Sequence, residues 1–344
     1  MKFLDLFAGI GGFRLGLEQA GHTCVGFVEI DKFARKSYEA IFDTKGEYTE
    51  HDINKINTKE LPKADIWCFG FPCQDISVAG KQKGFEGNRS SLFFAVTRKL
   101  HELEDKKKPS YLLIENVKNL LSINSGWDFA SLQIELDSLG YDIEWDVLNS
   151  KEVVPQNRER VYIIGHLRGR RTRKVFPIVR QNGETNKSVK QVGNLTPDGS
   201  FGGNPQTGRV YSPSGISPTL STMQGGGQEP KVAVREATKI GYDVAQLGDS
   251  INFSQPNSKT RRGRVDHGVA NTLTTGIEQA TLTGNLRIRK LTPLETWRLQ
   301  GFPDWAFNLA RKAGISDSQL YKQAGNSVTV PVIYEIAKRM NWED

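Results

Sequence analysis

At 344 residues and 37% hydrophobic, the chain is long enough for one large domain plus a smaller one, and too apolar to stay disordered. Three cysteines without a CxxC pair, five histidines without ligand spacing and no apolar run of roughly 18–20 residues argue against a disulfide framework, a metal site and a membrane span, and for a reducing, cytoplasmic setting. The formal charge of +7 is uneven: residues 166–290 hold 19 Lys and Arg against 8 Asp and Glu, which suits either a bound polyanion or a solvated basic surface.

Residues 3–7 form an apolar stretch interrupted by Asp5, with no cleavage-site pattern, and read as the first strand of a fold. DLFAGIGGF (residues 5–13) carries that strand into a helix, and its glycines let the backbone come close to a ligand at the strand's carboxyl end. A second strand, 24–28, is closed by Glu29, 20 residues after Gly9, where a carboxylate can accept from ribose hydroxyls. Asp52 sits in a third loop on the same edge and can accept from an exocyclic amine. These features suit a nicotinamide dinucleotide as well as S-adenosylmethionine. The spacing G-x-G-G, in place of G-x-G-x-x-G, offers no obvious cradle for a pyrophosphate and favours the cofactor without phosphates.

A strand at 66–69 runs into GFPCQDIS (70–77), where Pro72 and its polar neighbours place Cys73 on a loop. A thiol there is a nucleophile if its pKa is lowered, and otherwise an inert buried cysteine. The strand at 111–114 ends in Glu115, Asn116 and Val117, and Leu132, Leu136 and Leu139 then mark a helix at i, i+4 and i+7. Strands at 141–148 and 161–165 follow. QNRER (156–160) directly precedes the last of these, and alternation points Arg158 and Arg160 to one side. Singly, the glutamate reads as a cap and the arginines as a solvated face. A thiol, a carboxyl and two guanidiniums on one edge together point to a chemical site. Strands alternating with helices predict a doubly wound, mostly parallel α/β sheet.

After Arg168 the texture changes. Arg168, Arg170, Arg171, Arg173 and Lys174 lead into a region with nine glycines between Gly193 and Gly227, suited to loops on short strands and read as a second domain. Two blocks echo each other there: Gly208-Arg209-Val210 ahead of Thr219-Leu220, and Gly263-Arg264-Val265 ahead of Thr272-Leu273. Composition leaves duplication and coincidence both open. Helical texture returns near Leu291, and residues 328–340 predict an amphipathic C-terminal helix.

DLFAGIGGF, GFPCQDIS, ENV, QNRER, RKLTPLETWRLQGFP (289–303) and QAGNSV (323–328), in that order over nearly the whole chain, resemble the motif set of bacterial DNA cytosine-5 methyltransferases of the restriction-modification kind. The resemblance implies a Rossmann-like methyltransferase fold, with residues 1–166 forming the catalytic and cofactor-binding domain. Residues 167–303 would form a smaller, irregular, β-rich target-recognition domain, and 304–344 would return to the catalytic domain. It implies methyl transfer from S-adenosylmethionine, leaving S-adenosylhomocysteine, to C5 of a cytosine flipped out of duplex DNA, without a metal. Cys73 would be the nucleophile, Glu115 would act at N3, and Arg158 and Arg160 would hold the base at O2. Phe7, Ala8, Gly9, Gly11, Gly12, Glu29, Ile30, Asp52, Ile53, Pro72, Leu92, Asn326 and Ser327 would line the cofactor pocket.

On the DNA side the resemblance assigns Gln74 and Ser77 on the 73–91 loop, Gln206 in the gap left by the flipped base, and Arg209, Thr219 and Leu220 at the major groove. Arg261, Arg262 and Arg264 would contact phosphate. Ala79 is one departure: similar members of the family carry serine there, so a polar contact from that loop would be missing. The implied setting is a bacterial or phage-encoded monomer in the cytoplasm, off the membrane, whose paired restriction endonuclease, where one exists, is a functional and not a physical partner. An RNA cytosine-5 methyltransferase and a catalytically silent DNA binder are the alternatives. The long variable region speaks against the first, and the intact Cys73, Glu115, Arg158 and Arg160 speak against the second.

Overall fold

The computed structural model describes residues 1–71, 92–156, 158–178 and 292–341 and, between 191 and 281, Thr260 and the short strands named below. The first of these segments alternate strand and helix: β1 (Lys2–Leu6), α1 (Gly12–Gln19), β2 (Thr23–Val28), α2 (Lys32–Ile41), β3 (Tyr48–Glu50), β4 (Ile66–Gly70), α3 (Leu92–Glu102), β5 (Tyr111–Val117), α4 (Trp127–Ser138), β6 (Tyr141–Asn149) and β7 (Glu159–Leu167). The strands form one seven-stranded sheet in the order β3-β2-β1-β4-β5-β7-β6. Pairs from β3 through β5 are parallel, and both faces of the sheet are covered. That explains why Ile66 to Phe69 and Tyr111 to Ile114 read as unbroken apolar runs, each residue being buried.

Only β7 runs against the rest. The reason is chain length. Nine residues separate Asn149 of β6 from Glu159 of β7, fewer than the dozen or more that a parallel crossover needs. β3, a three-residue edge strand with no alternation to read, is an element the sequence does not announce.

The strand order reverses at β1, which has β2 on one side and β4 on the other. Ligands in doubly wound sheets bind at such a switch point, at the carboxyl ends of the strands. The Gly9 loop and Phe71 both emerge there.

The residues after 292 build α5 (Pro293–Leu299), α6 (Asp304–Lys312), α7 (Asp317–Asn326) and α8 (Val330–Met340). A capping box starts α5: Thr292 Oγ1 accepts from the Glu295 amide, and the Glu295 carboxylate accepts from the Thr292 amide at 2.7 Å. Helix α8 lays Val332, Ile333, Ile336, Ala337 and Met340 into the core beside Phe13 and Leu17 of α1. Gly16 permits this approach, since a Cβ there would lie 2.6 Å from Ile333. Gln300, fully buried, joins the late elements to the sheet. Its Nε2 donates to Ala324 O at 2.8 Å, its Oε1 accepts from Thr329 Oγ1 at 3.0 Å, and Thr329 in turn meets Ser150 at 2.8 Å.

Between them lie β8 (Gln191–Asn194), β9 (Arg209–Tyr211), β10 (Lys231–Arg235) and β11 (Tyr242–Ala245) in one sheet, and β12 (Ser250–Asn252), β13 (Val265–Asp266) and β14 (Gln279–Thr281) in another. The two Gly-Arg-Val blocks lead into different sheets. Part of the basic cluster before them ties back to α4 and β6: Arg168 pairs with Asp137 and Asp142. Glu144 accepts from the amides of Val175 and Phe176 at 2.6 and 3.1 Å.

Candidate active site

The loop after β1 turns sharply. Phe7, Gly9 and Gly11 all have positive φ (53°, 57° and 84°), a conformation that costs a bulky side chain such as Phe7 most. Gly11 has no substitute: its left-handed φ disfavours any L side chain, and a Cβ would sit 2.2 Å from the Phe42 ring. Gly12 has a spatial reason, because a Cβ there would press on Ser327 Oγ at 2.7 Å. The loop thus carries its ligand surface against the far end of the chain.

Glu29, at the end of β2, is held from both sides. Its Oε2 accepts from the Gly9 amide and its Oε1 from the Asp31 amide, each at 2.7 Å. Burial pushes this carboxyl up from its ordinary range, opposed by the two amides. Each oxygen keeps a lone pair for a hydroxyl donor.

Phe7, Ala8, Gly9, Gly12, Glu29 and Ile30 form one side of a cavity of about 450 Å³. Leu92, Asn326 and Ser327 line it as well, and so do Glu115, Arg158 and Arg160. Ile30 is 71% exposed, an apolar surface left open beside the cavity. Gly70 lets the Glu115 carboxyl lie against the end of β4, since a Cβ there would be 3.1 Å from Oε2. Arg160 Nε stands 3.0 Å from Glu115 Oε1.

Arg158 is only 3% exposed; its Nη2 donates to Ser327 O at 2.9 Å, while among the described residues Nε and Nη1 have no partner. Burial brings its guanidinium down to about 10, with Arg160 adding to the effect and Glu115 opposing it. It is still a cation at neutral pH. Two buried guanidinium nitrogens without partners among the described residues call for acceptors from outside them.

Asn116, not singled out by sequence, holds Phe71 O at 2.8 Å through Nδ2 and so anchors the segment that leads to Cys73. Asp31 and Lys322 also line the cavity without a sequence signal of their own, beside Gln323, the first residue of the QAGNSV motif. Gly11, Asp52 and Ile53 stand outside the lining. Asp52 caps a short turn by accepting from the Asn54 amide at 3.0 Å, and Ile53 is core. Pro72, Cys73, Gln74, Ser77, Gln206, Thr219, Leu220, Arg261, Arg262 and Arg264 lie outside the described residues, as does the Arg209 side chain. No cluster of three or more His, Cys, Asp or Glu able to hold a metal ion occurs among the described residues. None of their helices is long and apolar enough to cross a membrane.

Comparison with known proteins agrees with this geometry. The family model for the C-5 cytosine-specific DNA methylase matches residues 1–342. The orphan methyltransferase M.SPRI of Bacillus phage SPR is 33% identical, across 99% of this chain and 97% of its own. The type II methyltransferase M.HhaI of Haemophilus parahaemolyticus is 35% identical, across 98% and 93%. Among solved structures, S. pombe Dnmt2 methyltransferase shares the fold at a TM-score of 0.63 with 18% identity, covering 98% of this chain and 97% of its own. With a family match over residues 1–342 and a switch-point cavity that gathers five of the six sequence motifs, the chain belongs to the C-5 cytosine-specific DNA methylases.

Proposed function

We propose that the protein methylates C5 of a cytosine flipped out of a specific duplex DNA sequence, through a covalent bond between Cys73 and C6. The observation that carries this reading is the shared cavity: Glu115, Arg158 and Arg160 line the same space as Glu29, Phe7, Asn326 and Ser327. The residues fit S-adenosylmethionine. Glu29 has spare acceptor capacity for ribose hydroxyls, Phe7 and Ile30 offer apolar surface to an adenine, and Asn326 and Ser327 line the same cavity. When bound, this cofactor supplies an electrophilic methyl group.

Cytosine C5 is a poor nucleophile until a thiolate adds to C6. Cys73 forms that bond, and the ring becomes an enamine with electron density at C5. Glu115 donates to N3 and relieves the charge that develops there. Arg160, steadied by Glu115, and Arg158, steadied by Ser327 O, hold the O2 edge. Once C5 is methylated, a base removes its proton. The electron pair returns to the ring and expels the Cys73 thiolate. Residues 1–166 act as the catalytic domain, 167–303 as the target-recognition domain and 304–344 as the returning segment. Arg209, Thr219 and Leu220 read bases, and Gln206, Gln74 and Ser77 support the flipped state. The protein acts as a monomer, and a restriction endonuclease, where present, is a genetic companion only.

The test is a mechanism-based trap. Duplex DNA with 5-fluorocytosine at the target should form a covalent adduct with the wild type and none with Cys73→Ala, which still binds DNA. Base-by-base mapping on mixed-sequence DNA should return a short, fully modified motif. Methyl transfer to tRNA but not to DNA would replace this reading with the RNA one.

A further inference from the structure

The cavity is closed along one rim by two segments far apart in sequence. The β2 end supplies Glu29, Ile30 and Asp31; α7 and its C-cap supply Lys322, Gln323, Asn326 and Ser327. Lys322 Nζ lies 2.8 Å from Asp31 Oδ2 and joins them. Beside it, Gln323 Nε2 donates to Phe33 O and Gln323 Oε1 accepts from Ser37 Oγ, both at 3.1 Å.

Asp31 is a junction. Its Oδ1 accepts from the amides of Phe33 and Ala34 at 2.8 and 3.2 Å and so caps α2. Its own amide donates to Glu29 Oε1. A chain of contacts therefore runs from Lys322 through Asp31 and Glu29 to Gly9. Both ion-pair side chains are 29% exposed, so salt reaches the pair, while the Glu29 contacts to the Gly9 and Asp31 amides behind it are part-buried.

We infer that the Lys322–Asp31 ion pair is a latch across the cavity mouth, and that Lys322 is a positioning residue that governs how long the cofactor and its product stay bound. The inference rests on the cavity being the S-adenosylmethionine site. With the latch closed, α7 keeps Asn326 and Ser327 opposite Glu29, and a bound nucleoside leaves only when the rim parts. With the latch open, the rim parts more often and Glu29 loses the tether on one oxygen. Burial would raise the Asp31 carboxyl, but its bonds to Lys322 and to the α2 amides hold it below its ordinary range, so the pair is charged at neutral pH.

The experiment measures S-adenosylhomocysteine dissociation from the full-length protein without DNA, over a range of ionic strength. The expected result for Lys322→Gln is dissociation about tenfold faster, equal to about 1.4 kcal/mol, with restoration by Lys322→Arg. Asp31→Asn keeps the helix cap but drops the charge, and should reach the same rate. The double variant should be no faster than either single one. In the wild type, dissociation should speed up with salt, and in Lys322→Gln that dependence should flatten. Wild-type rates in both single variants, additive effects in the double, or a salt dependence unchanged by Lys322→Gln would overturn the latch and leave the cavity assignment standing. A wild type that binds no S-adenosylhomocysteine would overturn both. The salt series on the wild type needs no substitution, so a variant that fails to fold does not remove the test: a salt-independent rate there also overturns the latch.

Discussion

Asp5 sits in the middle of β1 with no exposure to solvent. Tyr38 Oη donates to its Oδ2 at 3.4 Å, and Cys68 Sγ lies 3.7 Å from Oδ1. Burial pushes the carboxyl well up, more than Arg14, Cys68 and Tyr38 pull it down. The folded state therefore holds this proton more tightly than the unfolded chain does. The stability it contributes is complete below about 3.9, the unfolded value, and is lost as pH rises through the folded value. Asp5→Asn removes the titration with little change of shape. Its melting temperature should gain on the wild type as pH goes from 5 to 8; a constant difference in calorimetry would refute the assignment. At the chemical site, Glu115→Gln keeps the shape and loses the proton, so methyl transfer should fall at least about 10²-fold, while S-adenosylhomocysteine still binds. Which residues were legible follows from range. Glu29, Glu115, Arg158 and Arg160 stand in motifs at strand ends, where sequence places them well. What Arg158 touches was not legible, because its acceptor Ser327 is 169 residues away. Lys322 and Asp31 look like ordinary surface charges until the fold puts them 2.8 Å apart.

At the scale of elements, the six strands read from apolar runs all form, five of them within two residues of their expected ends and β5 running three residues further, to Val117. Most were legible because strands buried on both faces carry continuous apolar runs; β6, largely half-exposed, shows instead apolar residues alternating with charged ones from Tyr141 to Val147. The reversed β7 was hidden, since direction depends on the length of a loop and not on composition. Gln300 shows the same limit for polar residues. In sequence it is one more glutamine in a helix-ending motif; in the fold it bonds Ala324 and Thr329, and Gln156 Nε2 comes within 3.4 Å. Gln300→Leu would leave the Ala324 carbonyl without this donor and Thr329 without this acceptor. Each such loss costs about 1–3 kcal/mol, read as a lower denaturation midpoint at unchanged slope. A variant as stable as the wild type would show that these groups find other partners.

Over the whole molecule, charge and chemistry are segregated. The near-neutral remainder of the chain carries the cavity, and the basic stretch from 166 to 290 carries the excess of Lys and Arg. Substituting alanine at Arg261, Arg262 and Arg264 together should weaken binding to every duplex alike. It should also lower the slope of log affinity against log salt by about 0.9 per lost phosphate contact. Unchanged affinity and slope in a filter-binding salt series would move these arginines off the phosphate backbone.

The cavity also has a history in time. Its walls come from segments translated early, ending near Arg160, and from α7 and its C-cap, translated much later. At about 5–20 residues per second, the 169 residues between Arg158 and Ser327 take roughly 10–30 s to make. During that interval the nascent chain holds a buried-type arginine without its carbonyl and an α1 face without α8. A ribosome-tethered chain arrested before α7 therefore lacks one wall of the cavity and the carbonyl that Arg158 meets. The cavity is complete only once α7 and its C-cap have been made, so its early walls wait for the last ones.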